Sequence, residues 1–521
     1  MDKTILRNSR PPKPQECAAA VRRSNVTMQG KFLQVAAMLS LFGALGLTAC
    51  ANKIPPPVAP YQRPVLIEPS ELVANPATYK DVAIDWLSWW KSFKDPVLDS
   101  LLEEAQSQSQ DLVLASARID EARTVLALNQ VNFYPSVDLN VGATRRGLSE
   151  NSATFVPGGK TTTNDRQYGL SASYEIDFWG RYARADDAAR ARLLSQGAAR
   201  GTVLTTLYAN VAQSYFALRT LDAQLLLAER TLANRQETFK LQERRLQGGV
   251  IGELDFRQAQ AEAISSEATV RTVRQSRANA ETALSLLLGR KPGQILAPTL
   301  ARGSDLQALY AAQLAIRAGA VGVPSEVLNR RPDLISAEQG LIAAQADIAQ
   351  ARTAYFPKVT LTAGLGQQSK ELGNLLSPSS IFWNVIGNLT QPVFRAGAID
   401  ATMAAANARQ RQALAQYTLA VQGAFRDVAD ALNNIEAGRE LSVITSKRLD
   451  ALRASLRLAD IRYKGGYSNY LEVLSAQRDL ASAESALLEV QRAQLLAVVG
   501  FYKALGGGWD AATLPEQVKG R

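Results

Sequence analysis

The chain is written twice. Residues 111–142, DLVLASARIDEARTVLALNQVNFYPSVDLNVG, align without a gap to 333–364, DLISAEQGLIAAQADIAQARTAYFPKVTLTAG, at an offset of 222. Asp111, Ala122 and Pro135 fall on Asp333, Ala344 and Pro357. Further on, RLQGGVIGELDFRQAQ (245–260) aligns to RYKGGYSNYLEVLSAQ (462–477) at an offset of 217, and LLLG (286–289) to KALG (503–506) at the same offset. Self-similarity of this period means that one structural unit is used twice, and any fold must accommodate both copies.

Each copy reads as helix, strand, loop, strand, very long helix, tight turn, helix. No proline falls between Pro157 and Pro292, or between Val393 and Leu514, so none interrupts a helix in either stretch. Leu204, Leu207, Val211, Ser214, Leu218, Leu221, Leu225, Ala228 and Leu232 recur three and four apart, a heptad seam broken by one serine. A single helix over 181–246 would reach roughly 100 Å at 1.5 Å per residue. Gly248-Gly249 and Gly465-Gly466 follow the long helices, where a left-handed cap is expected, and a second helix restarts behind each. A generic coiled coil would explain the seam but not the strands inserted into the doubled unit.

Those strands alternate. Val137, Leu139 and Val141 oppose Asp138 and Asn140. Tyr168, Leu170, Ala172, Tyr174 and Ile176 oppose Gly169, Ser171, Ser173, Glu175 and Asp177. Val359, Leu361, Ala363 and Leu365 oppose Thr360, Thr362, Gly364 and Gly366, and a less regular fourth segment surrounds Trp383, Val385 and Leu389. The expected strands are 137–147, 167–178, 358–367 and 383–394, near the length of a tilted membrane strand. A soluble sheet with one wet face gives the same alternation. The polar connections 148–165 and 368–380 suit extracellular loops. Four strands cannot close a barrel, and an open edge in lipid is forbidden, so a membrane reading demands oligomerisation. Two copies would give eight strands and three would give twelve.

The N-terminus is an address. Residues 32–49 form an apolar run behind Lys31 that ends Leu47-Thr48-Ala49-Cys50. This pattern is expected of a secretory signal, and the cysteine after small residues resembles a lipobox, in which the thiol is acylated. A single transmembrane helix is the competing reading of an 18-residue run. Ala51, rather than aspartate, follows the cysteine and favours outer-membrane sorting. The polar stretch before Met28 is unusual for a signal, so translation is expected to start there, which would make Cys17 irrelevant. Much of the basic balance is also local. Of the net charge of +10, half comes from residues 1–50, and no basic run with interleaved aromatics follows, so nucleic acid is not an expected partner. The chain has no histidine and only two cysteines, Cys17 and Cys50, which argues against a metal centre, a disulfide framework and most acid–base catalysis. The glycines at 506–508 end a helix and open no phosphate-binding one.

YQRP (61–64), WWKSFKDPVLDSLL (89–102), YEIDFWGR (174–181), ANVAQSYFALR (209–219), LNRRPDLISAE (328–338), YFPKVTLTA (355–363), YSNYLEVLSAQRDL (467–480) and ALGGGW (504–509) occur in this order along the repeat. By these motifs the chain resembles the outer-membrane factor lipoproteins of the NodT type, relatives of TolC, over essentially everything after Cys50. The resemblance implies a mainly α protein with a membrane β part. Three chains, four strands each, would form a twelve-stranded barrel continued by a long periplasmic α-helical barrel. The implied division is a signal peptide at 1–49, a lipidated extended segment at 50–97, repeat 1 at 98–292, an equatorial linker at 293–328, repeat 2 at 329–509 and a tail at 510–521.

The same resemblance implies a passive, non-enzymatic exit duct for small molecules, without cofactor or resident metal. Its partners would be a periplasmic adaptor, an inner-membrane pump of the RND type and outer-membrane lipid. Cys50 would carry the lipid. Tyr463, Leu471, Glu472, Ser475 and Arg478 match positions that line or brace the family's periplasmic gate, although relatives often carry a second aspartate where this chain has Ser475. Gly248, Gly249, Gly252, Gly465 and Gly466 would form the adaptor-docking tips. Type I protein secretion and a non-conducting envelope lipoprotein are the alternatives. Met403 is the one methionine after Cys50, which argues against a thioether relay for copper or silver.

Overall fold

A computed structural model describes residues 55–64, 85–151, 153, 158, 160–314 and 330–514. Cys17, Met28, the apolar run 32–49 and Cys50 lie outside the described residues. The chain divides between Ala59 and Pro60 into two units. The described part of the first, residues 55–59, has no regular secondary structure. Everything below concerns the second.

The element order is α1 (Pro96–Gln108), α2 (Gln110–Val131), β1 (Ser136–Gly147), β2 (Thr162–Ile176), α3 (Arg181–Gln247), α4 (Glu253–Leu287), α5 (Pro292–Leu296), α6 (Leu306–Leu314), α7 (Pro332–Arg352), β3 (Lys358–Ser369), β4 (Ile381–Thr390), α8 (Ala398–Lys464) and α9 (Tyr470–Ala504). The long helices α3 and α8 each have 67 residues, and α4 and α9 each have 35. All four boundaries repeat at the offset of 217. At 1.5 Å per residue α3 and α8 are each about 100 Å long. No proline interrupts either, and the seam residues Leu204, Leu207, Val211 and Leu218 of α3 are buried.

The four strands form one antiparallel sheet in the order β1-β2-β3-β4. Register settles which residues share a face. Leu139 pairs with Leu170, Leu170 with Leu365, and Leu365 with Trp383. Val137, Ala172, Ala363 and Val385 form the next row on the same face. The larger of these side chains are exposed in the single chain: Leu139 is 68% exposed, Val385 70% and Trp383 74%. The opposite face carries Asp138, Asn140, Ser171, Thr362, Asn384 and Asn388. Among the described residues, the outer edges of β1 and β4 pair with no further strand. An apolar outside, a polar inside and two open edges are what one segment of a membrane barrel needs.

The strand feet are tied across the repeats. Asp177 accepts the N–H groups of Tyr182 at 3.0 Å and Ala183 at 2.9 Å, capping α3. Trp179 donates to the Pro357 carbonyl at 2.7 Å and stacks on Phe356, ring centroids 4.7 Å apart. Trp179 of repeat 1 therefore holds Phe356 and Pro357 of repeat 2.

The main core lies where the helices of both repeats meet. Trp89, Phe93, Tyr208, Tyr215, Phe216, Tyr502 and Trp509 are buried together with leucines of α1, α3, α4 and α9. Trp89 stacks on Tyr502 at 5.2 Å, and the N–H of Gly508 donates to the Trp86 carbonyl at 2.7 Å. The glycine triplet is thus a packing device. A Cβ at Gly507 would lie 3.0 Å from the Trp89 ring.

Several expected boundaries move. The second strand, expected at 167–178, runs Thr162–Ile176, because 162–166 extends the ladder with β1. The fourth, expected at 383–394, runs Ile381–Thr390. Pro392 lacks an N–H and cannot continue it, and Val393 and Phe394 lie beyond. Segment 50–97, expected as extended, has no regular secondary structure over 55–64, while Trp89–Phe93 forms a 3₁₀ turn and α1 begins at Pro96. Its aromatics gain more from burial than an extended chain could offer. The linker 293–328 contains helix at Leu306–Leu314 and ends outside the described residues.

Candidate functional site

The hairpin tips come first, because they follow from two glycine pairs. At the end of α3 the N–H of Gly249 donates to Leu246 O and that of Val250 to Arg245 O. At the end of α8 the N–H of Gly466 donates to Tyr463 O and that of Tyr467 to Arg462 O. Both are Schellman closures. The left-handed residue is the second glycine of each pair, Gly249 at φ 68° and Gly466 at φ 76°. Gly248 and Gly465 keep φ at −79°. Gly252 is the N-cap of α4. All five tip glycines therefore sit in the two turns.

The expected gate residues separate into two groups. Leu471, Glu472, Ser475 and Arg478 lie on the exposed side of the first turns of α9, while Tyr470, Val473 and Leu474 point inward. Leu471 is 49% exposed. Asn469 caps α9 by accepting the Glu472 N–H at 3.2 Å. The Glu472 carboxylate lies 3.6 Å from Arg462 across the turn. Its place in the first helical turn is also favourable to a negative charge.

Tyr463 stands apart, turned toward the first hairpin. Its hydroxyl accepts from Gln242 at 3.2 Å and from Arg245 at 3.0 Å, and the Arg245 guanidinium lies over its ring. Arg478 makes a second bridge, its Nε donating to Glu262 at 2.9 Å. That bond raises the pKa of Arg478, which stays charged. Glu262 also faces Arg235 at 3.8 Å, and Arg235 donates to the Gln477 side chain. Arg235 is buried, and desolvation lowers its pKa against the opposing pull of Glu262. Two hairpins are thus held together by Tyr463 with Gln242 and Arg245, by Arg478 with Glu262, and by Arg235 with Gln477.

Sequence reasoning missed Arg235, Gln242, Arg245 and Glu262. A signal existed for two of them. Continued from Leu232 at the same spacing, the seam of α3 reads Arg235, Phe239, Gln242 and Leu246. Two polar residues on a buried stripe need partners, and the second hairpin supplies them.

The family model described as outer membrane efflux protein matches residues 101–290 and 323–507, one segment on each repeat. The chain is 33% identical over 470 residues to the cation efflux system protein CusC of Escherichia coli O6:H1, covering 90% of this chain and 97% of that one. It is also 33% identical over 471 residues to the pyoverdine export outer membrane protein OpmQ of Pseudomonas putida, covering 90% and 96%. Its structure is similar to that of the open state of the Neisseria gonorrhoeae MtrE outer membrane channel, with a TM-score of 0.74 and 31% identity over 87% of this chain and 98% of that one.

Proposed function

The chain belongs to the outer membrane efflux protein family, and on that premise we propose how it conducts, closes and docks. It is an outer-membrane channel subunit of a tripartite efflux system, lipid-anchored and extending into the periplasm. Three chains close a twelve-stranded barrel on the long helical hairpins. The observation that carries the reading is the sheet register, which puts the rows Val137–Ala172–Ala363–Val385 and Leu139–Leu170–Leu365–Trp383 on one face and leaves the outer edges of β1 and β4 open for neighbouring copies.

The duct is passive and carries no catalytic chemistry, and its energy comes from an inner-membrane pump, which we assign to the RND type. Named relatives move cations and pyoverdine. For this chain we propose small-molecule cargo selected by the pump, since one wall of polar strand residues offers no built binding site.

Cys50 carries the lipid. A Cys50→Ala chain is expected to lose metabolic fatty-acid label completely, and full labelling of that variant would remove the assignment.

The gate is the segment 463–478. A threefold axis turns Glu472 into a ring of three carboxylates, each with Arg462 nearby, and Leu471 into a nonpolar constriction beside it. Bringing the carboxylates together costs repulsion that a divalent cation relieves. Opening requires the second hairpin to part from the first at Tyr463 and Arg478, and an adaptor that binds the parted form better would favour it. In planar bilayers, Glu472→Gln should lower cation selectivity and weaken divalent block from the periplasmic side. Leu471→Ser should raise basal conductance with little change in selectivity. A trimer that forms no conducting channel sinks the duct itself; unchanged selectivity and block in Glu472→Gln sink only the gate.

A further inference from the structure

The outward face of the sheet does not end in the apolar rows. On β2 the lipid-side residues continue upward from Leu170 through Tyr168 to Arg166, and Arg166 pairs with Ala143 on β1. Two positions further along β1, Arg145 pairs with Asn164. Arg145 and Arg166 are therefore diagonal neighbours on the same face, a separation of about 7–8 Å between backbones that long side chains span. The facing residue on β3 is Ser369, and Lys370 follows it. Arg166 donates to the Lys370 carbonyl at 2.8 Å, which holds its guanidinium at the loop edge. Among the described residues neither Arg145 nor Arg166 has a carboxylate partner. The nearby Asp165 is on the other face, where it accepts from Gln368.

Height fixes what these cations meet. Ten positions separate Ile176, at the foot of β2, from Arg166. At about 3.3 Å per residue and a strand tilt of about 35–45°, that is roughly 23–27 Å along the membrane normal, against an apolar band about 25 Å tall. The aromatic residues Tyr168 and Trp383 lie one and two rows below Arg166, where a belt at the lipid headgroups belongs. The loop end of the sheet is the outer end, since the other end runs into the periplasmic helices.

We propose that Arg145 and Arg166, with Lys370 at the loop edge, form a lipid-facing site on each subunit for the phosphates of a phosphorylated outer-leaflet lipid. Two guanidinium forks above an aromatic row suit bidentate phosphate recognition. The site is continuous with the lipid-facing band, so a lipid is the occupant that can reach both parts at once. The inference rests on the strands lying in the membrane.

The test compares trimers in phosphatidylcholine nanodiscs doped with bisphosphorylated lipid A, with retained lipid A read by native mass spectrometry. Each arginine near an anionic lipid surface shifts partition by roughly fivefold, so Arg145→Gln with Arg166→Gln should weaken retention by roughly thirtyfold at about 0.15 M salt. Arg145→Gln alone breaks no hydrogen bond or ion pair among the described residues and should give roughly fivefold. Arg146→Gln, the same charge one position on but facing the lumen, should change nothing, and a phosphate-free lipid A analogue should not be retained. Equal retention by Arg145→Gln and wild type, or an equal loss in Arg146→Gln, overturns the proposal. Trimers that fail to enter nanodiscs would instead overturn the membrane reading beneath it.

Discussion

Gly466→Val is expected to cut transport at least about tenfold while leaving the trimer assembled. Gly466 closes the second hairpin at φ 76°, and a Cβ there would meet nothing within 4 Å. Space is therefore no obstacle, and the cost is conformational. A β-branched residue in the left-handed region costs on the order of 1–3 kcal/mol, and three copies multiply that within one trimer. The turn re-forms in another shape, and with it the two Schellman bonds that aim Tyr467 and the start of α9. The barrel lies about 100 Å away at the other end of α8, so insertion should be untouched. Drug or dye efflux in cells, and site-directed crosslinking of the tip to the adaptor, measure the effect. Undiminished crosslinking and efflux in Gly466→Val would mean that the tips are not where the adaptor docks.

Asp95→Ala is expected to give the largest loss of stability of any single change to a buried polar side chain. The Asp95 carboxylate is fully buried. It caps α1 by accepting from Val97 N at 2.9 Å, and it accepts from Tyr215 Oη at 2.7 Å and Ser304 N at 3.1 Å. Burial, followed by the bond to Asp95, pushes the Tyr215 pKa far above the usual phenol range, so the hydroxyl remains a donor. Alanine removes the cap and leaves a buried hydroxyl and a backbone N–H without their acceptor, about 3 kcal/mol in all. At about 2.1 cal/mol/K of unfolding entropy per residue, that corresponds to a fall of the apparent melting temperature on the order of 3 °C for a chain of this size. Asp95→Asn keeps one oxygen acceptor and should lose less than half as much. Heat-modifiability of the trimer on gels reads the shift, and an unchanged melt in Asp95→Ala would show that Tyr215 and Ser304 find other partners.

The aromatic motifs mark the limit of what sequence order conveys. WWKSF, ANVAQSYFALR and ALGGGW were legible as motifs, and nothing in their spacing said that Trp89 stacks on Tyr502 or that Gly508 donates to Trp86. The proposed gate shows the same limit at a finer scale. Tyr463 and Arg478 were picked out by resemblance, whereas their partners Arg245 and Glu262 sit on the other hairpin and have no local signature. Arg235 and Gln242 were within reach, since the seam that placed Leu232 also places them on the buried side.

By itself the sequence determined the doubled unit, the uninterrupted long helices, the glycine turns and the strands that alternate apolar with polar. Each of these is a periodicity or a chain-local constraint: a 3.6-residue or two-residue repeat, a proline that cannot donate, a glycine that can take positive φ. The tertiary structure alone decided the strand register, and with it that Arg145 and Arg166 share the outward face while Arg146 and Asp165 do not. It alone decided that Asp95 joins Tyr215 and Ser304, which lie 120 and 209 positions away in the chain. Register and long-range pairing come from packing surfaces brought together across hundreds of residues, and no window along the chain contains both partners.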